Sequence, residues 1–254
     1  MEILLSNGLP WFAGLSGWLA GGIVNTLAEH LIGPAACARC GRAWRPGWPT
    51  LPAYLQLRGR CTSCGQRLPW RPLLSELALA SLWALTAVRW GLTIQGATAA
   101  LYLAILVLIS VIDLATRRIP NVVVLPAAAL ALLLAAAGVG PRWTAALIGG
   151  AVGAGFFGVV YLLGAALLHC LGNRAAGRGP ALGLGDVRLA LFIGLAVGYP
   201  AIVTALLGGT LAGAAGAVVV IIRQIAERRY RPLAAMAYGP YLALGAAIAL
   251  LTRG

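Results

Sequence analysis

The chain has 254 residues, of which 61% are hydrophobic and only 10% charged, and its mean hydropathy is +0.90. Soluble globular domains are about one-quarter charged, so this composition excludes an ordinary soluble protein. The net charge of +13 comes from arginine alone, because the chain has no lysine; the arginines lie scattered between apolar runs, which argues against a nucleic-acid partner and for topology signals and lipid contact.

Eight apolar segments follow one another, over residues 9–32, 73–90, 96–114, 121–138, 143–171, 183–199, 201–222 and 238–252. Lipid leaves backbone polar groups no outside partner, so each reads as a helix. The expected fold class is an all-α polytopic membrane protein with about eight transmembrane helices. No Lys or Arg precedes Arg39. The start of the chain thus lacks the basic region of a cleavable signal peptide, and the first segment is expected to stay as an anchor. Gly149, Gly150, Gly153 and Gly155 in the fifth segment, and Gly208, Gly209 and Gly213 in the seventh, mark expected helix-packing faces. The tryptophans read as an aromatic belt at segment ends, and Cys170 as a small buried hydrophobe.

Residues 33–72 are the one sizeable soluble piece between segments. About forty residues cannot supply a self-sufficient core, so a staple is expected. Four of the five cysteines fall there, Cys37, Cys40, Cys61 and Cys64, in the pattern C-x2-C-x20-C-x2-C. Each pair is followed by glycine, Gly41 or Gly65, which permits a tight turn around a thiolate. Four thiolates make a closed tetrahedral set with no open position, which points to structural zinc and a zinc-ribbon-like insert. The expected organisation is a first transmembrane helix over 1–32, a cytoplasmic four-cysteine zinc module over 33–72, and a seven-helix core over 73–254.

Orientation follows from the arginines. The connection 33–72 holds seven, and those near 115–120, at 172–182 and at 223–237 hold two, two and four. The alternate connections hold only Arg89 and Arg142, and the C-terminal tail Arg253. The positive-inside rule then puts the cysteine module in the cytoplasm and both termini outside.

The chain has only two aspartates, Asp113 at the end of the third segment and Asp186 at the start of the sixth. The arginine-derived orientation puts both at the cytoplasmic face, where they can meet if these two helices are neighbours. A carboxylate at membrane depth is costly and marks a functional site by default. Two close together repel one another's charge and share one proton, which is the working unit of an aspartic protease. The pair titrates as a unit, so base and acid are not assigned. Glu76, at the start of the second segment, reads either as an acid complementing the helix dipole or as part of a second site.

Further residues carry a resemblance. Asp113 is followed by Arg117-Arg118-Ile119-Pro120-Asn121, and Asp186 sits in the GxGD motif Gly183-Leu184-Gly185-Asp186, followed by Val187-Arg188. The cysteine module contains Leu57-Arg58-Gly59-Arg60-Cys61; Gly22-Ile23-Val24-Asn25 lies in the first segment and Tyr238-Gly239-Pro240-Tyr241 near the end. In this order the set resembles the prepilin peptidase family over nearly the whole chain. The resemblance implies an inner-membrane aspartic endopeptidase that removes the leader of type IV prepilins or type II secretion pseudopilins at the cytoplasmic face. It also implies N-methylation of the new N-terminus with S-adenosylmethionine. Asp113 and Asp186 would be catalytic, with Gly183, Gly185 and Arg188 supporting backbone and substrate. Arg188 stands where the family has Lys, and Tyr238 where it has Phe. The competing reading, a proton-coupled transporter with the aspartates as a relay, calls for midplane acids and repeated halves. No repeat is evident, and both acids fall at one face.

Overall fold

The computed structural model describes residues 2–33, 37, 39–42, 54–56, 59–67, 70–171, 183–227 and 237–253. Arg45, Arg58, Arg174, Arg178, Arg228, Arg229 and Arg231, which entered the charge count, and Leu57 lie outside the described residues. Among the described residues eight helices run in chain order: α1 Glu2–Ile32, α2 Arg71–Trp90, α3 Ile94–Thr116, α4 Asn121–Ala136, α5 Trp143–Leu171, α6 Leu184–Val197, α7 Ala201–Ala226 and α8 Gly239–Thr252. They fall on the eight apolar segments, although α1 starts well before residue 9 and runs through Pro10. Among the described residues there is no strand, only an isolated bridge between Arg60 and Arg67.

Helices α2, α3, α7 and residues 143–167 of α5 are long and apolar enough to cross a membrane. Helices α4, α6 and α8 have 16, 14 and 14 residues. At 1.5 Å per residue these reach about 21–24 Å, short of a ~30 Å hydrocarbon core.

The chain divides into two compact units, Met1–Ala115 and Thr116–Gly254. In the first, α1 lies along α2. Glycine makes the approach close: a Cβ on Gly17 would stand 2.6 Å from the Leu79 carbonyl oxygen, and one on Gly21 2.5 Å from the Glu76 Cα. In the second unit, α6 packs against α5 and α4, and α7 against α8. A Cβ on Gly149 or Gly153 would run into the carbonyl oxygen of Gly194 or Ala190, and one on Gly150 would meet Leu195 at 3.0 Å. Gly208, Gly209 and Gly213 face Gly245, Leu242 and Tyr238. These glycines form the expected packing faces; Gly155 does not, since open space surrounds it. The tryptophans divide similarly. Trp11, Trp70 and Trp143 are exposed as a belt would have them, but the indole N–H groups of Trp18 and Trp83 are used inside, donating to Glu76 and to the Ala100 carbonyl. Cys170 is exposed rather than buried.

Candidate active site and cysteine centre

Asp186 is the third residue of α6. Gly183, the residue before the helix, is extended (φ −91°, ψ 155°). Its carbonyl accepts the Asp186 N–H at 3.0 Å, and its own N–H donates to Asp186 Oδ2 at 2.9 Å. The carboxylate thus caps its own helix, at the end where unpaired N–H groups favour negative charge. It is only 9% exposed. Gly185, inside the first turn, leaves room for a second segment: a Cβ there would stand 2.9 Å from the Cβ of Ile119. Arg188 Nη1 donates to Asn121 Oδ1 at 2.6 Å. The stretch from Arg117 to Asn121 therefore backs directly onto the GxGD turn. Arg117 has φ +53°, the one non-glycine residue with positive φ among the described residues, a backbone state that costs about 1 kcal/mol or more for such a residue.

Asp113 belongs to the other unit. It lies in the last turn of α3, is 4% exposed, and follows the fully buried Ile109 and Ile112. No glycine or proline interrupts the helix from Ala97 to Thr116. Both aspartates are thus buried, one at the end of a continuous helix and one at a glycine-fronted helix start.

The four predicted cysteines converge. Their Sγ atoms all lie within 4.8 Å of one another, with Cys37 and Cys64 at 3.4 Å and Cys40 and Cys61 at 3.8 Å. A tetrahedron of Zn–S bonds of about 2.3 Å has S–S edges of about 3.8 Å, so the donor set fits that metal. The two halves are built alike. Cys37 N–H donates to the Arg42 carbonyl and Gly41 N–H to that of Cys37; Cys61 N–H donates to the Gln66 carbonyl and Gly65 N–H to that of Cys61. Gly41 and Gly65 have φ +66° and +70°, the left-handed state that each turn requires. Backbone N–H groups of Ser63 and then Cys64 lower the Cys61 thiol to about 6, and those of Cys40 and Arg39 lower Cys37. At Cys64 the N–H of Gln66 pulls downward, but Cys37, burial and the other two sulfurs outweigh it and raise that thiol to about 11. Such a set accumulates negative charge that a cation would relieve. All five cysteines are free of disulfides.

Glu76 departs from the expectation. It is not a first-turn acid; it lies in the second turn of α2 and is 0% exposed. Its Oε2 accepts from Trp18 Nε1 at 2.9 Å, in the space that Gly21 leaves open. Beside it, Ser75 Oγ donates to Asn25 Oδ1 at 2.6 Å, and Asn25 Nδ2 donates to the Pro72 carbonyl at 2.9 Å. Asn25 and Ser75 are also buried. The available signal was an acid among Leu73-Leu74-Ser75-Glu76-Leu77, the same criterion that singled out the aspartates.

Comparison with known proteins bears on this arrangement. Residues 100–218 match the model of the type IV leader peptidase family, and residues 19–90 that of the bacterial peptidase A24 N-terminal domain. A prepilin leader peptidase/N-methyltransferase of Bacillus subtilis is 30% identical over 87% of this chain and 83% of its own length. One from Pseudomonas aeruginosa is 32% identical over 85% of this chain and 71% of its own. One from Neisseria gonorrhoeae is 26% identical over 84% and 69%. No solved structure matches the chain significantly.

Proposed function

The chain belongs to the type IV leader peptidase family, and on that footing we propose that it hydrolyses prepilin leaders with Asp113 and Asp186. The enzyme is a membrane-embedded prepilin peptidase that also methylates the N-terminus it creates. The observation that carries the aspartate assignment is that the chain's only two aspartates are both buried, at 4% and 9% exposure. Residues held so in apolar sequence are functional by default.

Hydrolysis of a peptide bond needs a nucleophilic water and a proton for the departing amine. One carboxylate takes a proton from water as its oxygen attacks the scissile carbonyl. The other, protonated, donates toward the carbonyl oxygen and then supplies the amine. Gly183 lets the backbone before Asp186 run extended, Gly185 admits Ile119 against the turn, and Arg188 braces it. The substrate class extends to type II secretion pseudopilins, whose leaders present the same bond. S-adenosylmethionine, when bound, would supply the methyl group that the freed amine accepts. Cys37, Cys40, Cys61 and Cys64 would hold a structural zinc, which would supply the staple for a module over 33–72 apart from the helix over 1–32 and the core over 73–254. The arginine distribution puts module and aspartates on the cytoplasmic side of the inner membrane, with both termini outside.

The test is cleavage of a purified prepilin, followed by mass spectrometry, by the wild type, Asp113→Asn and Asp186→Asn. Each variant is expected to lose about 10²–10⁴-fold in rate, the range of general acid–base catalysis. Wild-type processing by either variant rejects the dyad. An added methyl group that appears only with S-adenosylmethionine checks the second activity.

A further inference from the structure

We infer that Asn121 and Ile119 are positioning residues that set the Asp186 turn in place, acting through Arg188 and Gly185; this rests on the reading that Asp186 is catalytic. The segment that joins α3 to α4 reaches its post through an arginine with left-handed backbone, Arg117 at φ +53°. Pro120 (φ −73°, ψ 124°) then stands just before α4. The result brings Ile119 to Gly185 and Asn121 to Arg188, two contacts one turn apart along α6.

The first contact is steric. At 2.9 Å, a Cβ on Gly185 would be closer to the Cβ of Ile119 than ordinary contacts allow. Glycine in the first turn of a helix has a cost relative to alanine, and here the space it leaves is filled by a protein residue. The second contact is a charge-assisted hydrogen bond of 2.6 Å, short for its kind. Arg188 lies two residues beyond Asp186, so its tether fixes the rotation of the turn about the α6 axis. The Gly183 N–H bond fixes the carboxylate from the other side. Below these contacts, Val124 on α4 and Leu189 and Ala190 on α6 are fully buried. The α4–α6 packing therefore has its own apolar support, and the polar tether at its end is free to set orientation.

The experiment measures kcat and KM for prepilin cleavage by the full-length protein in lipid, with thermal unfolding of each variant. Asn121→Ala and Arg188→Ala are each expected to lower kcat about 10- to 100-fold, as small misplacements of a catalytic group do, with KM and melting unchanged. The double variant should be no worse than the poorer single one, and Asn121→Asp, which keeps the acceptor, should restore activity. Gly185→Ala should lower kcat, and Ile119→Gly in the same chain should restore it by removing the opposing Cβ. Losses that multiply in the Asn121/Arg188 double variant, or wild-type kcat in Asn121→Ala while Asp186→Asn is inactive, overturn the inference alone. Wild-type cleavage by Asp186→Asn overturns the inference together with the reading beneath it.

Discussion

The seam between α1 and α2 and the seam between α5 and α6 are both made by glycine, yet they differ in what fills them. At α5–α6, backbone meets backbone: Gly149 and Gly153 face the carbonyls of Gly194 and Ala190, with apolar Leu195 beside them. At α1–α2, the room that glycine leaves is taken by polar groups, with Glu76, Ser75 and Asn25 buried and Trp18 turned inward to donate. Close approach is what membrane helices use to associate. Burying a carboxyl group is not needed for that and is costly unless every bond is made. The α5–α6 seam is therefore built for proximity alone, while the α1–α2 seam spends part of its proximity on holding a specific arrangement of side chains.

Substitutions that separate proximity from polarity sharpen this contrast. The largest effect is expected from Gly149→Leu. The new side chain falls on the Gly194 backbone, which cannot yield as a side chain would, so the loss should exceed about 3 kcal/mol and thermal unfolding of the purified protein should show it. A Gly149→Leu protein as stable as the wild type would show that the seam is not closed there. Next comes Glu76→Leu, which leaves the half-buried Trp18 N–H without its acceptor on Glu76 and should cost about 1–3 kcal/mol. Glu76→Gln keeps an acceptor oxygen and should cost less; equal losses from both would mean that the Trp18 bond contributes nothing. Asn25→Ala and Ser75→Ala should each cost about 1 kcal/mol. Their sum should overshoot the double variant, because both side chains bond the Pro72 carbonyl. The smallest effect on either seam is expected from stripping metal with a chelator. Limited proteolysis should then open residues 37–64 while helix melting stays unchanged; helix unfolding on metal loss would tie module and seam together.

Much of this was legible in the sequence, because the relevant signals are local. Apolar runs give the eight helices, since lipid admits no alternative backbone state. Paired cysteines followed by Gly41 and Gly65 give the sulfur cluster, since two like turns come from two strings of the same C-x-x-C-G pattern. What was not legible depends on partners far apart in the chain. Trp18 and Glu76 are 58 residues apart, and Arg188 and Asn121 are 67. Periodicity identifies a face of a helix but not which face it meets. Glu76 therefore read either as a helix-start acid or as part of a second site, although Gly21 had left it a buried place. Gly185 likewise read only as support for backbone and substrate, although its missing side chain is the room occupied by Ile119. Gly155 failed in the opposite direction: only two residues beyond Gly153, it falls off the face that Gly149 and Gly153 share, and a Cβ there would meet nothing within 4 Å.

The bond from Asn25 to the Pro72 carbonyl has a consequence for how such a chain can change over generations. It joins the end of α1 to the first turn of α2 and so ties off the intervening stretch at its neck. The register of the two helices is then independent of how much chain lies between them. Doubling that stretch would add only about 0.6 kcal/mol of closure entropy. The cysteine domain can thus be treated as a cassette. Its lengthening, shortening or wholesale deletion is tolerable to the helices as long as the knot at its neck survives, and heredity can experiment above that knot without touching what lies in the membrane.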